Sequence, residues 1–220
     1  MGVSIEWLGH CAFRLRRDDG LGVLIDPFDD TIGYRVPEYK CDVLLLSHLH
    51  YDTHAMHLVK PGFAVVRDEG EKRVRGILFE GFRWWHDERK GKDFGSVVVF
   101  EFVIDGIRFA YLSHIGTVPK KSLLERLGSV DVLFLPIGGM FALGPSDAKQ
   151  VVNSVNPRLI IPMHFRTPSL RFDLLPLTDF TRLMPTIHTV QDWKVKVEAG
   201  QLPDSPIVLA MQYWPGKSAV

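Results

Sequence analysis

Apolar and polar positions alternate in short runs through the first half of the chain. Residues 3–8, 12–16, 22–25 and 42–46 read as strands, broken by Asp18-Asp19-Gly20 and Asp26-Pro27. Further strands are expected at 63–67, 73–85, 96–104 and 108–112, and Asp105-Gly106 between the last two is a two-residue hairpin signal of type I′. The second half changes rhythm. Leu123, Leu124 and Leu127 recur at helical spacing and predict a helix over 119–127, with Pro119 in its first turn. A second helix is expected over 145–155, with Ala148, Val151, Val152 and Val155 on one side, and a third over 177–184. Strands are expected at 130–135, 158–162 and 207–214. Strands dominate both halves and helices arrive singly between them, so the layers should stack with sheets inside and helices outside. Neither a repeat nor a long linker divides the chain, which reads as one domain over residues 1–220.

Composition narrows the class of protein. The 26 Lys+Arg residues balance 26 Asp+Glu, which argues against a chain that coats a polyanion, and 46% hydrophobic residues suffice for a large core. The two cysteines, Cys11 and Cys41, cannot build a disulfide framework and fit a reducing compartment. The start of the chain lacks the basic region and apolar core of a secretion signal, and no apolar run approaches the roughly 20 residues needed to cross a bilayer. A cytoplasmic protein without a membrane partner is expected. The oligomeric state, including a homo-oligomer, is left open.

The candidate chemistry is concentrated in Ser47-His48-Leu49-His50-Tyr51-Asp52-Thr53-His54, directly after the apolar run Val43-Leu44-Leu45-Leu46. A strand end passing into a loop aims His48 and His50 to the same side, and neutral imidazole nitrogens at about 2.0–2.1 Å suit zinc or a similar ion. A lone histidine in such a turn is more often solvated polar surface, but three imidazoles and a carboxylate at one strand exit favour a metal. His86, His114 and His164 also stand at the ends of apolar runs. Their repeated placement predicts convergence on one rim of a sheet sandwich.

Taken with Trp7-Leu8-Gly9-His10, Ile25-Asp26-Pro27-Phe28, His86-Asp87, Pro136-Ile137-Gly138-Gly139, Gly144-Pro145 and Ile161-Pro162-Met163-His164, this pattern resembles the metallo-β-lactamase superfamily. Within it, the chain is similar to short hydrolases of the ascorbate 6-phosphate lactonase type. The resemblance spans nearly the whole chain and implies an α/β fold, a four-layer αββα sandwich with metals at one edge. It implies a first metal site of His48, His50 and His86. The second would use Asp52, the residue after it, a bridging carboxylate and His164. Two positions depart from that pattern. Thr53 stands where a histidine is expected, and Leu112-Ser113-His114 where Leu-Gly-Asp would supply the bridge. His114 can donate a lone pair but not the charge that offsets repulsion between two cations. His54 is the weaker candidate for the missing ligand and His57 is polar surface or support. His10 and Asp26 are expected beneath the metal edge, orienting a ligand imidazole through its other ring nitrogen.

These readings predict a metal-dependent hydrolase acting on a lactone, ester or phosphoester of a small molecule. Zinc, with manganese as the alternative, would be held tightly as one ion beside a weak second site, and Asp52 would be the catalytic base or water-orienting group. Arg89, Lys90 and Lys92 after His86 would receive an anionic substrate. The competing readings are a catalytically degenerate member that binds metal or ligand without turnover, and a nuclease; zero net charge disfavours a nucleic-acid partner. Trp84, Trp85 and Phe141 are candidates for shaping a pocket, with core packing favoured for the tryptophan pair. Protons should compete with metal at about pH 6 to 6.5.

Overall fold

The computed structural model describes residues 2–127 and 129–216. Met1, the first residue of the chain start read above, and the last four residues of the 1–220 unit lie outside it. The first strands are β1 (Val3–Gly9), β2 (Ala12–Arg17), β3 (Gly22–Ile25), β4 (Val43–Leu45) and β5 (Ala64–Val66). They are followed by β6 (Gly70–Val74), β7 (Ile77–Trp85), β8 (Ser96–Ile104) and β9 (Ile107–Tyr111). Helix α1 (Lys121–Arg126) leads to β10 (Val132–Pro136), α2 (Pro145–Val155) to β11 (Leu159–Met163), and α3 (Leu177–Thr181) to β12 (Ile187–Val190). Strands β13 (Lys194–Val197) and β14 (Ile207–Met211) end the order.

Two sheets form the sandwich, in the orders β13-β1-β2-β3-β4-β5 and β12-β14-β11-β10-β9-β8-β7-β6. Alternation along β1 to β4 sends Val3, Ile5, Phe13, Leu15, Val23, Ile25, Val43 and Leu45 into the core shared with the second sheet. The opposite positions, Leu24, Leu44 and Leu46, join Phe28, Ile32, Tyr34 and Tyr39 in a second cluster on the outer face. That face is covered by loops and two 3₁₀ turns, Asp30–Ile32 and Met56–Leu58. The α-helices follow β9, β10 and β11, whose parallel pairing requires crossover connections. No helix among the described residues is long and apolar enough to cross a membrane.

The expected long strand over 73–85 is instead a hairpin of β6 and β7. Arg75 and Gly76 both take positive φ, 51° and 81°, and turn the chain between them. The Asp105-Gly106 hairpin forms with φ of 50° and 78°, as its dipeptide predicts. Helix α1 starts at Lys121, so Pro119 lies outside its first turn. The pair β12 and β13 has no counterpart in the sequence reading. Strand β13, Lys-Val-Lys-Val, is a short edge strand whose register against β1 sets Lys194 opposite Glu6, which also holds Arg14 in a partly buried ion pair.

Candidate metal centre at the strand ends

The site is built where strands end. His10 follows β1 directly, Asp26 follows β3, His86 follows β7 and His164 follows β11, while His48 and His114 lie three residues beyond β4 and β9. At several of these exits a residue other than glycine adopts left-handed backbone: His10 (φ 48°), Asp26 (42°), Ser113 (53°) and His164 (50°). Such conformations cost roughly 1–3 kcal/mol each and persist only where surrounding packing over-determines them. Close backbone approach supplies part of that packing. A Cβ on Gly116 would lie 2.2 Å from the His86 carbonyl oxygen, and one on Gly138 would lie 2.1 Å from the His164 carbonyl oxygen. Gly9 combines both demands, with φ 124° and the Tyr34 ring 2.7 Å from where its Cβ would stand.

Six imidazoles and one carboxylate meet at this rim. Ligand atoms of His48, His50 and His86 lie within 4.8 Å of one another, as do those of His10, His114 and His164, and those of His48, Asp52 and His114. His48, His50, His86, Asp52, His114 and His164 are thus in one cluster, and His10 is there as well. Thr53 and His54 are not. The Thr53 hydroxyl donates to the backbone carbonyl of His50 at 3.2 Å, and the exposed His54 is hydrogen-bonded through Nδ1 to the same carbonyl at 2.7 Å. His57 is exposed on its 3₁₀ turn.

Hydrogen-bond accounting fixes the orientation of His48. The Ser47 hydroxyl donates its single hydrogen to Asp26 Oδ2, and Asp26 also accepts from the Ser47 backbone N–H at 2.8 Å and the Tyr111 hydroxyl at 2.7 Å. Ser47 Oγ then has only lone pairs to offer. It accepts from Ser113 Oγ at 2.6 Å and from His48 Nδ1 at 2.8 Å. His48 therefore carries its proton on Nδ1 and presents the lone pair of Nε2, which is buried without a protein partner. Asp26 thus acts on His48 through Ser47, a relay that the sequence reading assigned to Asp26 but without its intermediary. Burial pushes the Asp26 carboxyl up to about 7, against the downward pull of the bonds from Ser47 and Tyr111.

Asp52 is held from the other side. His10 Nε2 lies 3.1 Å from Asp52 Oδ2. Burial pushes the Asp52 carboxyl up, but the His10 hydrogen bond and the neighbouring imidazoles outweigh it and keep the group well below the ordinary carboxylate range. The imidazoles of His48, His114 and His164 are held far below their usual value, first by burial and then by one another, and His86 shifts the same way. They are neutral at pH 7. His114 has a further contact absent from the sequence reading: its Nε2 lies 2.8 Å from Cys11 Sγ. Burial raises the Cys11 thiol well above its ordinary pKa, so it serves as a hydrogen-bond partner that fixes the ring, not as a thiolate.

The donor set fits a divalent cation. Buried nitrogens without hydrogen bonds are costly and rare. Among the described residues those of side chains are His10 Nδ1, His48 Nε2, both nitrogens of His86, His164 Nδ1 and one other, Arg17 Nε. Five of six therefore belong to this cluster, and neutral imidazole lone pairs beside one carboxylate are what zinc and similar ions accept.

A cavity of ≈ 240 Å³ opens onto His50, Asp52, His86 and His114, and its remaining walls are Tyr51, Phe94, Phe141 and Phe172. Phe141 is where the sequence placed it. Trp84 packs against the core and its indole N–H donates to the Thr117 hydroxyl at 3.0 Å, while Trp85 is exposed; neither lines this cavity. Tyr51 and Phe94 were legible in principle, since one lies inside the histidine segment and the other on the loop that follows His86.

Known proteins share this architecture. A family profile described as a beta-lactamase superfamily domain matches residues 4–164. A UPF0173 metal-dependent hydrolase of Thermococcus onnurineus is 28% identical over 194 residues, covering 75% of this chain and 85% of the relative. A Thermotoga maritima structure assigned to Zn-dependent hydrolases of the metallo-β-lactamase superfamily superposes with a TM-score of 0.77 at 33% identity, covering 96% of this chain and 100% of that one. A metallo hydrolase of Ignicoccus hospitalis shares the fold at 19% identity and a TM-score of 0.65, over 99% and 97% of the two chains. With that profile spanning most of its length and its two sheets stacked as an α/β sandwich, the chain belongs to the metallo-β-lactamase superfamily.

Proposed function

We propose that the protein is a metal-dependent hydrolase of a small molecule carrying a lactone, ester or phosphoester bond. The observation that carries this reading is the set of His48, His50 and His86, whose ligand atoms lie within 4.8 Å of one another beside Asp52 and a cavity. The names of the Thermococcus and Thermotoga relatives point the same way. His48, His50 and His86 would hold one zinc ion tightly, with manganese as the alternative. A divalent ion there supplies Lewis acidity, making water a competent nucleophile near neutral pH and polarising the bond under attack. Asp52 orients the water and takes its proton, anchored by His10 so that its other carboxylate oxygen is directed to the reaction. Ser47 and Asp26 keep His48 in the tautomer that leaves Nε2 available.

The second position is altered. Asp52, His114 and His164 would be joined by His10, reached from the β1–β2 turn, in place of the histidine that Thr53 replaces. Only one of these four donors is a carboxylate, so a second cation would be held weakly against the charge of the first. The commitment of Thr53 to backbone carbonyls favours the second reading, a member that binds metal without turnover. Two buried free thiols fit the reducing cytoplasm that we propose as its compartment.

Hydrolysis of lactone, ester, phosphomonoester and phosphodiester probes, with and without added zinc or manganese, separates the readings. Metal-dependent turnover that a chelator abolishes is expected for at least one probe class. Metal binding without turnover of any probe would establish the degenerate reading instead.

A further inference from the structure

The residues that line the cavity fall into two kinds. His50, Asp52, His86 and His114 belong to the metal rim, and the other four, Tyr51, Phe94, Phe141 and Phe172, are aromatic. The four rings form two edge-on pairs. Phe94 meets Phe141 at 5.1 Å and leans on His86 at 5.5 Å, while Tyr51 meets Phe172 at 6.0 Å and Phe172 meets His10 at 5.7 Å. One pair therefore packs against the first imidazole set and the other against the second. Three of the four rings are unusually open for aromatics, with Tyr51 60%, Phe94 41% and Phe141 38% exposed. Clustered exposed apolar surface at a concave site marks a binding surface.

Their positions are set by polar scaffolding in the flanking loops. The Asp87 carboxylate accepts from the backbone N–H groups of Arg89, Gly91, Asp93 and Phe94 at 2.9–3.2 Å, which ties the loop into a closed turn ending on Phe94. Arg89, expected to receive an anion, is paired with Asp93 at 2.9 Å, and neither Lys90 nor Lys92 reaches the cavity. On the other side, the Arg171 guanidinium donates to the Thr31 carbonyl at 3.0 Å and the Arg171 backbone N–H donates to the Ile32 carbonyl at 3.0 Å. Among the described residues, the cavity is lined by one carboxylate and no Lys or Arg. A phosphorylated substrate would have to place its anion near Asp52 with no protein cation to offset it.

We propose that this cavity binds the alkyl or aryl portion of an uncharged ester or lactone, and that the enzyme discriminates against phosphorylated substrates. The proposal rests on the hydrolytic reading above for its reactive bond, but the apolar subsite is a property of the four rings.

The test uses the zinc-loaded protein in two arms. In the first, γ-butyrolactone, γ-hexalactone and γ-octalactone, ethyl esters of matched chain length, and 6-phosphogluconolactone are compared by a pH-indicator assay. kcat/KM should rise about fourfold per added methylene until the chain leaves the pocket, and the phosphorylated lactone should be the poorest substrate. In the second arm, binding of benzamide is followed by saturation-transfer NMR, which needs no turnover. Benzamide should bind, and Phe141→Ala and Phe172→Ala should each weaken it about tenfold while Phe141→Leu largely restores it. Circular dichroism of each variant confirms that it is folded. Absence of turnover together with ring-dependent benzamide binding would defeat the hydrolytic reading and leave the subsite standing. A flat chain-length profile, preference for the phosphorylated lactone, or benzamide binding indifferent to both ring deletions would overturn the proposal.

Discussion

His48, His50 and Asp52 come from one five-residue stretch after β4, and only His86 is brought to them from elsewhere; His10, His114 and His164 come from the ends of three strands distant in the chain, β1, β9 and β11. The two sets differ equally in their support. His48 is fixed by a complete hydrogen-bond relay through Ser47 to Asp26, whereas His114 is fixed by a thiol and His10 by the carboxylate it shares with the rim. A compact motif with a satisfied relay presents its lone pairs in one arrangement. A set assembled from three strand exits owes its geometry to the fold and adapts its chemistry to whatever side chains the turns provide.

The largest effect that would break this comparison is on turnover. Asp52→Asn keeps the shape of the carboxylate and a contact for His10 but removes the base, so hydrolysis should fall by about 10²–10⁴-fold while the first ion is retained. Steady-state rates and metal content on the same sample check it; parent-like rates would remove Asp52 from catalysis. Ser47→Ala should be next, because it deletes the acceptor of the His48 Nδ1 proton. Loss of such support lowers metal affinity by about 10–100-fold, which competition with a metal indicator measures. An unchanged affinity would mean that the relay does not orient His48.

A change at the second set sharpens the contrast. His114→Asp places a carboxylate between the two sets, and affinity for a second cation should rise by at least ~10-fold as the added charge offsets cation repulsion. Titration with zinc followed by calorimetry reads the second binding step, and its absence would show that the missing charge is not what limits this site.

Acidification should have the smallest effect near neutrality. The pKa values of His48, His86, His114 and His164 are lowered, so these rings remain unprotonated below the usual histidine value of about 6.5 and their lone pairs stay available to metal. Release should therefore come at lower pH than from a site of exposed imidazoles, and metal content after equilibrium dialysis should change little between pH 7.5 and pH 6. The sequence alone suggested release at about pH 6 to 6.5, since it carries no information on burial. Half-release in that interval would show that the cluster titrates like exposed imidazole.

What was legible in the sequence follows from how local each signal is. The density of His48, His50 and Asp52 after an apolar run announced the first set, and the placement of His86, His114 and His164 at the ends of apolar runs announced convergence. Helix α2 was readable end to end because its apolar positions, its Pro at the start and its isolation between strands agree. The contribution of His10 was less readable. It depends on a left-handed turn at φ 48° that carries the ring across to Asp52, and that turn depends on Gly9 fitting under Tyr34. Ser47 and Ser113 gave no signal, since a serine becomes a relay only when an acceptor and an imidazole lie on either side of it. The pairing of Arg89 with Asp93 gave no signal for a similar reason: it depends on the turn between them, which Asp87 closes.

We propose that His48, His50 and His86 hold the essential ion and that the His10 set does not. Metal content by mass spectrometry after exhaustive dialysis, measured on the parent protein, His86→Ala and His10→Ala in parallel, tests it most directly. About one zinc per chain is expected in the parent and in His10→Ala, and almost none in His86→Ala, because two imidazoles are too few to hold the ion against water. Equal content in His86→Ala and the parent, or loss in His10→Ala with retention in His86→Ala, would contradict it.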